Sequence, residues 1–222
     1  MNALLVIAKR PTPGQTKTRL SPPLTPEQAS ALYQDFLGDT LDIARAVPEV
    51  ARLIYYAPDD AAGYFGRLAP DFGLAPQVGA GLGARLDHAL TEFLCAGHER
   101  VVIMDSDSPT LPAACVTQAF GELARHEVVL GPCDDGGYYL IGLTRPQPRL
   151  LREVQMSQPN VLRETVALAQ SLGLRVALLP RWYDVDTVDE LTRLQAELSD
   201  TAIAAAPRTR ARLAAWAPAL AR

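Results

Sequence analysis

Apolar residues in this chain fall in short unbroken bursts, and between the bursts they recur every three or four positions. The bursts Ala3–Ala8, Arg52–Tyr56, Leu74–Val78, Val101–Met104, Val128–Leu130, Tyr138–Leu143 and Arg175–Leu179 read as buried strands. The periodic stretches read as helices: Pro26–Ala46, Asp59–Leu68, Ala84–Ala96, Pro112–Arg125, Pro159–Leu172 and Val188–Leu198. Local chemistry agrees. Thr25 is a plausible N-cap with Pro26 at the first helical position and Glu27 in the first turn. Leu86, Leu90, Phe93 and Leu94 share one helix face, and Gly97 stops that helix.

The alternation β-α-β-α predicts an α/β fold, a Rossmann-like three-layer α/β/α sandwich with a mostly parallel central sheet. The late strands lie close in sequence and are joined by a turn, which predicts an antiparallel element added to that sheet. No linker or internal repeat divides residues 1–199, which read as one domain. Residues 200–222 differ. Thr201–Arg222 is rich in Ala, has no acidic residue and carries Arg208, Arg210, Arg212 and Arg222. It reads as a terminal helix broken by Pro207 and Pro218 or as a solvated tail, the tail being the simpler expectation.

Composition narrows the function. Among 222 residues the net charge is −4, which gives no reason to expect nucleic acid as a partner. No segment is long and apolar enough to span a bilayer. The start, M-N-A-L-L-V-I-A-K-R, reads as a first strand rather than a signal peptide, so a cytoplasmic protein is expected. Cys95, Cys115 and Cys133 are far apart and form no metal-ligand spacing or disulfide framework. Cys133 is expected to be a small buried residue.

Chemistry concentrates where strands end, the place open α/β sheets put their ligands. Asp105-Ser106-Asp107 follows the strand Val101–Met104. If the chain stays extended there, both carboxylates point one way and can reach one Mg²⁺ or Mn²⁺, hard cations that prefer oxygen and bridge to phosphates. The alternative is that Asp107 or Ser108 caps the next helix. Lys9–Leu20 follows the first strand. Pro11, Pro13 and Gly14 shape it, and Lys9, Arg10, Lys17 and Arg19 alternate with Thr16 and Thr18. It is a candidate phosphate cradle, though neither a Walker A loop nor a dinucleotide fingerprint. Gly131–Gly142 holds Asp134 and Asp135 before Gly136 and Gly137, then Tyr138. A carboxylate there can orient a hydroxyl, hold a metal or act as a base, or the run is only a tight turn. Asp184-Val185-Asp186-Thr187 is a second Asp-x-Asp, in which Asp186 completes a metal shell or, with Thr187, caps a helix. Val78–Leu86 is a glycine-rich loop suited to covering a base or pyrophosphate.

Taken in order, K-x-P-x-P-G-x-x-K-T-R-L, L-G-x-R-L, D-S-D-S-P-T-L, G-P-x-x-D-G-G-Y-Y-L-I-G-L and D-V-D-T resemble the bacterial nucleotide-diphospho-sugar transferase-like family. Some members of that family are labelled arsenosugar-biosynthesis glycosyltransferases. Molybdenum-cofactor and phospholactate guanylyltransferases share the superfamily. The resemblance spans roughly Met1–Leu198. It implies a glycosyltransferase A-type fold and a metal-dependent transferase that uses a nucleotide or nucleotide-sugar donor and a small-molecule acceptor. Glycosyl transfer is the first expectation, and nucleotidyl transfer from an NTP with release of pyrophosphate the alternative. By motif, Lys17 and Arg19 fall to the nucleotide phosphates, and Lys9, Arg10, Gly14, Thr18, Gly83, Arg85 and Ser106, read from their places in the basic loop, the glycine-rich loop and the acidic run, are further candidates for the nucleotide. Asp105, Asp107 and Asp186 fall to Mg²⁺ or Mn²⁺. Asp134, Gly136, Gly137 and Tyr138 fall to the acceptor, with Asp135 as base and Lys17 and Arg19 as catalytic cations. A homodimer is compatible with this reading. The chain departs from the pattern at Met156-Ser157-Gln158, where the family often has Trp-Ser-Thr, and at Gly81, where it often has an acidic residue.

Overall fold

The computed structural model describes residues 1–220, with side chains through Trp216. One seven-stranded sheet forms the middle layer. Its strands are β1 (Asn2–Lys9), β2 (Val50–Ala57), β3 (Gly73–Pro76), β4 (Val101–Met104), β5 (Val128–Pro132), β6 (Tyr138–Leu143) and β7 (Val176–Leu178), in the order β3-β2-β1-β4-β6-β5-β7. Strand β6 runs antiparallel to both neighbours, β4 and β5, and every other pairing is parallel. This is the expected mixed sheet, and its antiparallel element is the hairpin through Asp134–Gly137.

The helices are α1 (Pro26–Ala46), α2 (Ala62–Leu68), α3 (Leu82–Cys95), α4 (Ala113–Glu122), α5 (Pro148–Arg152), α6 (Val161–Ser171), α7 (Val188–Ser199) and α8 (Pro207–Leu220). Alternate strand residues feed two cores, as the two-residue period of a strand requires. Leu4, Val6, Val102 and Met104 face Leu37, Phe65 and Val116. Ala3, Leu5, Val101 and Ile103 face Leu86, Leu90 and Leu150. Helix α1 starts as its sequence dictates, with a capping box in which Thr25 accepts from Gln28 N at 3.2 Å and Gln28 accepts from Thr25 N at 2.8 Å.

Two readings change. Helix α5 was not legible, because five residues are too few to show a period. Pro207 opens α8 instead of breaking it, a position where the missing N–H costs nothing. Nor is this stretch a solvated tail. The Asp39 carboxylate of α1 accepts from the backbone N–H groups of Arg208 (3.1 Å) and Thr209 (2.9 Å), so a neighbouring helix caps α8. Leu213 packs beside Tyr33 and Phe36, and Arg212 pairs with Asp35. Gly38 makes room, since a Cβ there would meet Arg208 Cδ at 2.7 Å. Arg222 lies outside the described residues.

Candidate active site

The carboxyl ends of β1, β4 and β5 open into one cleft with two halves, of about 600 and 500 Å³. Ile7, Arg19, Leu82, Asp105, Asp107 and Asp186 line both. The larger half is walled by Lys9, Gln15–Arg19, Gln77 and Arg85. The smaller is walled by Cys133, Asp135, Tyr138, Met156 and Asp184.

Lys17 sits at their junction. Its backbone is left-handed, with φ 50°. That turn drops the side chain inward until it is 5% exposed, with Nζ 2.7 Å from both Asp107 and Asp186. Burial alone would lower its pKa, but the two carboxylates raise it above the usual lysine value. The rings of Tyr33 and Phe36 lie 5.9 and 6.0 Å from the ammonium. Tyr33 was not anticipated from sequence. Its hydroxyl lies 2.8 Å from Ser106 Oγ and accepts from Lys9 N at 3.1 Å, and burial followed by the Asp107 charge pushes it up to about 12.

The acidic pair does not run extended. Asp107 N and Ser108 Oγ both donate to Asp105 at 3.3 Å, so the chain turns back on itself. Ser106 is 3% exposed and donates to Ile7 O at 3.0 Å. Neither Asp107 nor Ser108 caps α4, whose N-cap is Pro112. In the second acidic run, Thr187 is the cap of α7 and bonds Glu190 reciprocally, which leaves Asp186 to Lys17.

Asp105, Asp135 and Asp184 form the other cluster. Burial, then the charges of Asp107 and Asp184, raise Asp105 well above the usual carboxylate value. Burial, then Asp135 and Asp186, raise Asp184 to about 6. Like charges crowded in a half-dry cleft oppose ionisation of one another. One oxygen each of Asp135 and Asp184, and Cys133 Sγ, lie within 4.8 Å of one another. Oxygen donors held this way, with no ammonium or guanidinium paired to Asp105 or Asp184 among the described residues, suit a divalent cation.

The remaining expected residues divide. Arg85 reaches the larger half, where Nε donates to Gly79 O (3.1 Å) and a terminal nitrogen to Gln77 Oε1 (3.1 Å). Gln77, also unanticipated, is buried and donates to Ala8 O and Tyr55 O. Arg19 is 69% exposed and lies 3.7 Å from Asp186. Lys9 and Thr18 line the same half. Arg10 turns toward Asp60 at 3.3 Å. Gly14 takes a positive φ of 72° in the exposed turn. Gly83 is packed on α5, where a Cβ would meet Leu151 O at 2.0 Å. Asp134 is held by Arg193 at 2.6 Å. In the hairpin turn Gly137 N donates to Asp135 Oδ1 at 2.7 Å, and Gly136 abuts Pro159, where a Cβ would lie 1.9 Å from the carbonyl oxygen. Tyr138 borders the acidic half, its hydroxyl 3.5 Å from Met156 Sδ. The pointer to Asp184 was present in sequence, since residues two apart in an extended run share a side.

A family described as "Uncharacterized protein conserved in bacteria (DUF2064)" matches residues 40–158, more than half of the chain. The chain belongs to this family. It is also 30% identical over 179 residues to 2-phospho-L-lactate guanylyltransferase from Methanothermobacter thermautotrophicus, covering 79% of this chain and 76% of that protein. A crystal structure from Desulfovibrio desulfuricans, described as a "putative nucleotide-diphospho-sugar transferase", superposes with a TM-score of 0.88 at 32% identity, covering 98% of this chain and 95% of the other. Rv0371c from Mycobacterium tuberculosis, solved in complex with manganese, shares the fold at 20% identity with a TM-score of 0.55, covering 87% and 96%. Among the described residues no helix is long and apolar enough to cross a membrane.

Proposed function

We propose that this protein is a transferase that uses a nucleotide-activated donor and a divalent cation, and that it moves a glycosyl group to a hydroxyl of a small acceptor. The observation that carries this reading is a cleft whose larger half gathers Lys9, Lys17, Arg19 and Arg85 and whose smaller half adds Asp135 and Asp184, with Asp105, Asp107 and Asp186 shared between the two. Lys9, Lys17, Arg19 and Arg85 bind and orient the phosphates of the donor, leaving its activated carbon directed at the acidic half. Asp105, Asp107 and Asp186 are the carboxylates proposed for Mg²⁺ or Mn²⁺, Asp107 and Asp186 becoming available as Lys17 turns from them to the phosphates. A cation held there supplies charge neutralisation to the diphosphate as it leaves. Asp135 is exposed at the acceptor side, and its carboxylate takes the proton of the attacking hydroxyl.

The second reading is nucleotidyl transfer to an acceptor phosphate, favoured by the 30% identity to a guanylyltransferase. That reaction needs no base. Incubation with nucleoside diphosphate sugars and, separately, with nucleoside triphosphates separates the two. Release of nucleoside diphosphate with transfer or hydrolysis of the sugar supports the glycosyl reading. Release of pyrophosphate from a triphosphate in the presence of a phosphorylated acceptor contradicts it.

A further inference from the structure

Gln77 follows β3 and lines the larger half of the cleft, yet it is only 9% exposed. Its amide is fully engaged. Nε2 donates to Ala8 O of β1 at 3.0 Å and to Tyr55 O of β2 at 2.9 Å, and Oε1 accepts from Arg85 at 3.1 Å. These bonds leave the amide one orientation, because turning it over would set Oε1 against two carbonyl oxygens. The backbone around it is fixed as well. Gln77 N donates to Tyr56 O at 2.8 Å, and Val78 N donates to the buried Tyr55 hydroxyl at 2.9 Å. Gly79 O then accepts from Arg85 Nε at 3.1 Å. Gly79 has a φ of 131°, and a Cβ there would meet the Ala84 carbonyl carbon at 2.9 Å, so the loop lies close against the start of α3, the helix that carries Arg85. The cations of this half are therefore held in two ways. Lys17 and Arg19 lie against Asp107 and Asp186, which cancel part of their charge. Arg85 is held by an amide and a carbonyl, and among the described residues it pairs with no carboxylate. Neutral acceptors fix a guanidinium without cancelling its charge, and its other N–H groups stay free for a ligand.

We infer that Gln77 is the positioning residue for Arg85: its buried amide, anchored on β1 and β2, holds the guanidinium at full charge for the phosphates of the donor and sets donor affinity through it. The inference rests on the proposed function, which assigns Arg85 to those phosphates. An arginine already held in place loses little rotamer freedom when the donor binds, so more of its attraction for the phosphates appears as affinity. The anchor also ties that affinity to the sheet, since the same amide that faces Arg85 closes onto two strands.

A double-mutant cycle tests this, read by calorimetric titration of the full chain with inorganic pyrophosphate and Mg²⁺, the diphosphate standing in for that of the donor. Arg85→Met should weaken binding by about 10–100-fold, the range of a hydrogen bond to a charged group. Gln77→Met, similar in length but without the amide, should weaken it by about 3–10-fold, the range of one neutral hydrogen bond. The double variant should bind like Arg85→Met alone, to within about twofold. Thermal stability should behave otherwise. Gln77→Met should lower the melting temperature equally with and without Arg85, because Ala8 O and Tyr55 O lose their donor in both. A Gln77→Met protein that is less stable but binds like wild type overturns the inference and leaves the proposed function standing. Additive losses of affinity also overturn it, since Gln77 would then act by a route other than Arg85. If Gln77→Met does not melt cooperatively, Gly79→Ala, which displaces the other acceptor of Arg85, takes its place in the cycle with the same expected non-additivity. If Arg85→Met itself binds like wild type, the assignment of Arg85 to the phosphates and the inference fall together.

Discussion

Two places in this molecule bury aspartates, and they handle the charge in opposite ways. At the junction of α1 and α8, the side chain of Asp39 is 1% exposed but accepts from two backbone N–H groups, the Thr209 hydroxyl at 2.7 Å and the Arg208 guanidinium at 3.2 Å. Every lone pair has a donor, so the carboxylate holds two helices together. In the cleft, Asp105 and Asp184 face other carboxylates, and their proton affinities rise. A saturated buried charge is a fastener. A buried charge left facing its own kind is held ready for something that binds, and such perturbed groups cluster at functional sites.

Substitutions should therefore separate the two places. The largest effect is expected in the cleft. Asp184→Asn should lower turnover by about 10²–10³-fold, the scale of losing one preorganised electrostatic group. It should also raise the melting temperature of the metal-free protein, because a repulsive charge is gone. At the junction the signs reverse. Asp39→Ala leaves Arg208 and two N–H groups without their acceptor. Breaking one side of a buried pair costs about 3–5 kcal/mol. At roughly 2–4 °C per kcal/mol, the melting temperature should fall by about 6–20 °C. Donor affinity, measured by calorimetry, should be unchanged. A loss of donor affinity in Asp39→Ala would break the comparison.

Lys17→Met probes the boundary between the halves. It removes the ammonium shared by Asp107 and Asp186. Donor affinity should weaken by about tenfold, near 1.4 kcal/mol. An unchanged dissociation constant would assign Lys17 to structure alone.

The smallest effect is on pH dependence. The folded protein binds a proton at Asp184 up to about pH 6, while the unfolded chain releases it near the ordinary carboxylate value of 3.8. Stability of the metal-free protein should therefore rise as pH is lowered from 7 through 6 toward 5, and saturating divalent cation should flatten that rise. Glu127, held at about 2 by Arg175, acts in the opposite direction, and its contribution is lost as pH falls from about 4.5 toward 2, just below this window. A melting temperature that falls between pH 7 and 5 without metal would contradict the crowding of the carboxylates.

The strands and long helices were legible because their apolar spacing is local. Val101–Met104 has four buried residues in a row, and Thr25-Pro26-Glu27-Gln28 announces a helix start. The site was legible as motifs but not as pairings. Which carboxylate Lys17 would meet depends on a left-handed turn and on a partner 169 residues away. No local pattern encodes that. Tyr33 and Gln77 look like ordinary helix and loop residues until the sheet brings Ser106 and Ala8 to them. The capping of α8 by Asp39 is equally non-local, so Ala and Arg composition alone read as solvated.

The central claim is that the acidic half of the cleft binds a cation and thereby couples to the nucleotide half. It is tested most directly by thermal melts of wild type and Asp184→Asn with a nucleotide panel, each with and without divalent metal. The account predicts that wild type is stabilised by nucleotide and metal together by more than the sum of the two alone, and that Asp184→Asn loses this excess from a higher metal-free baseline. Equal coupling in both proteins, or nucleotide stabilisation indifferent to metal, would contradict it.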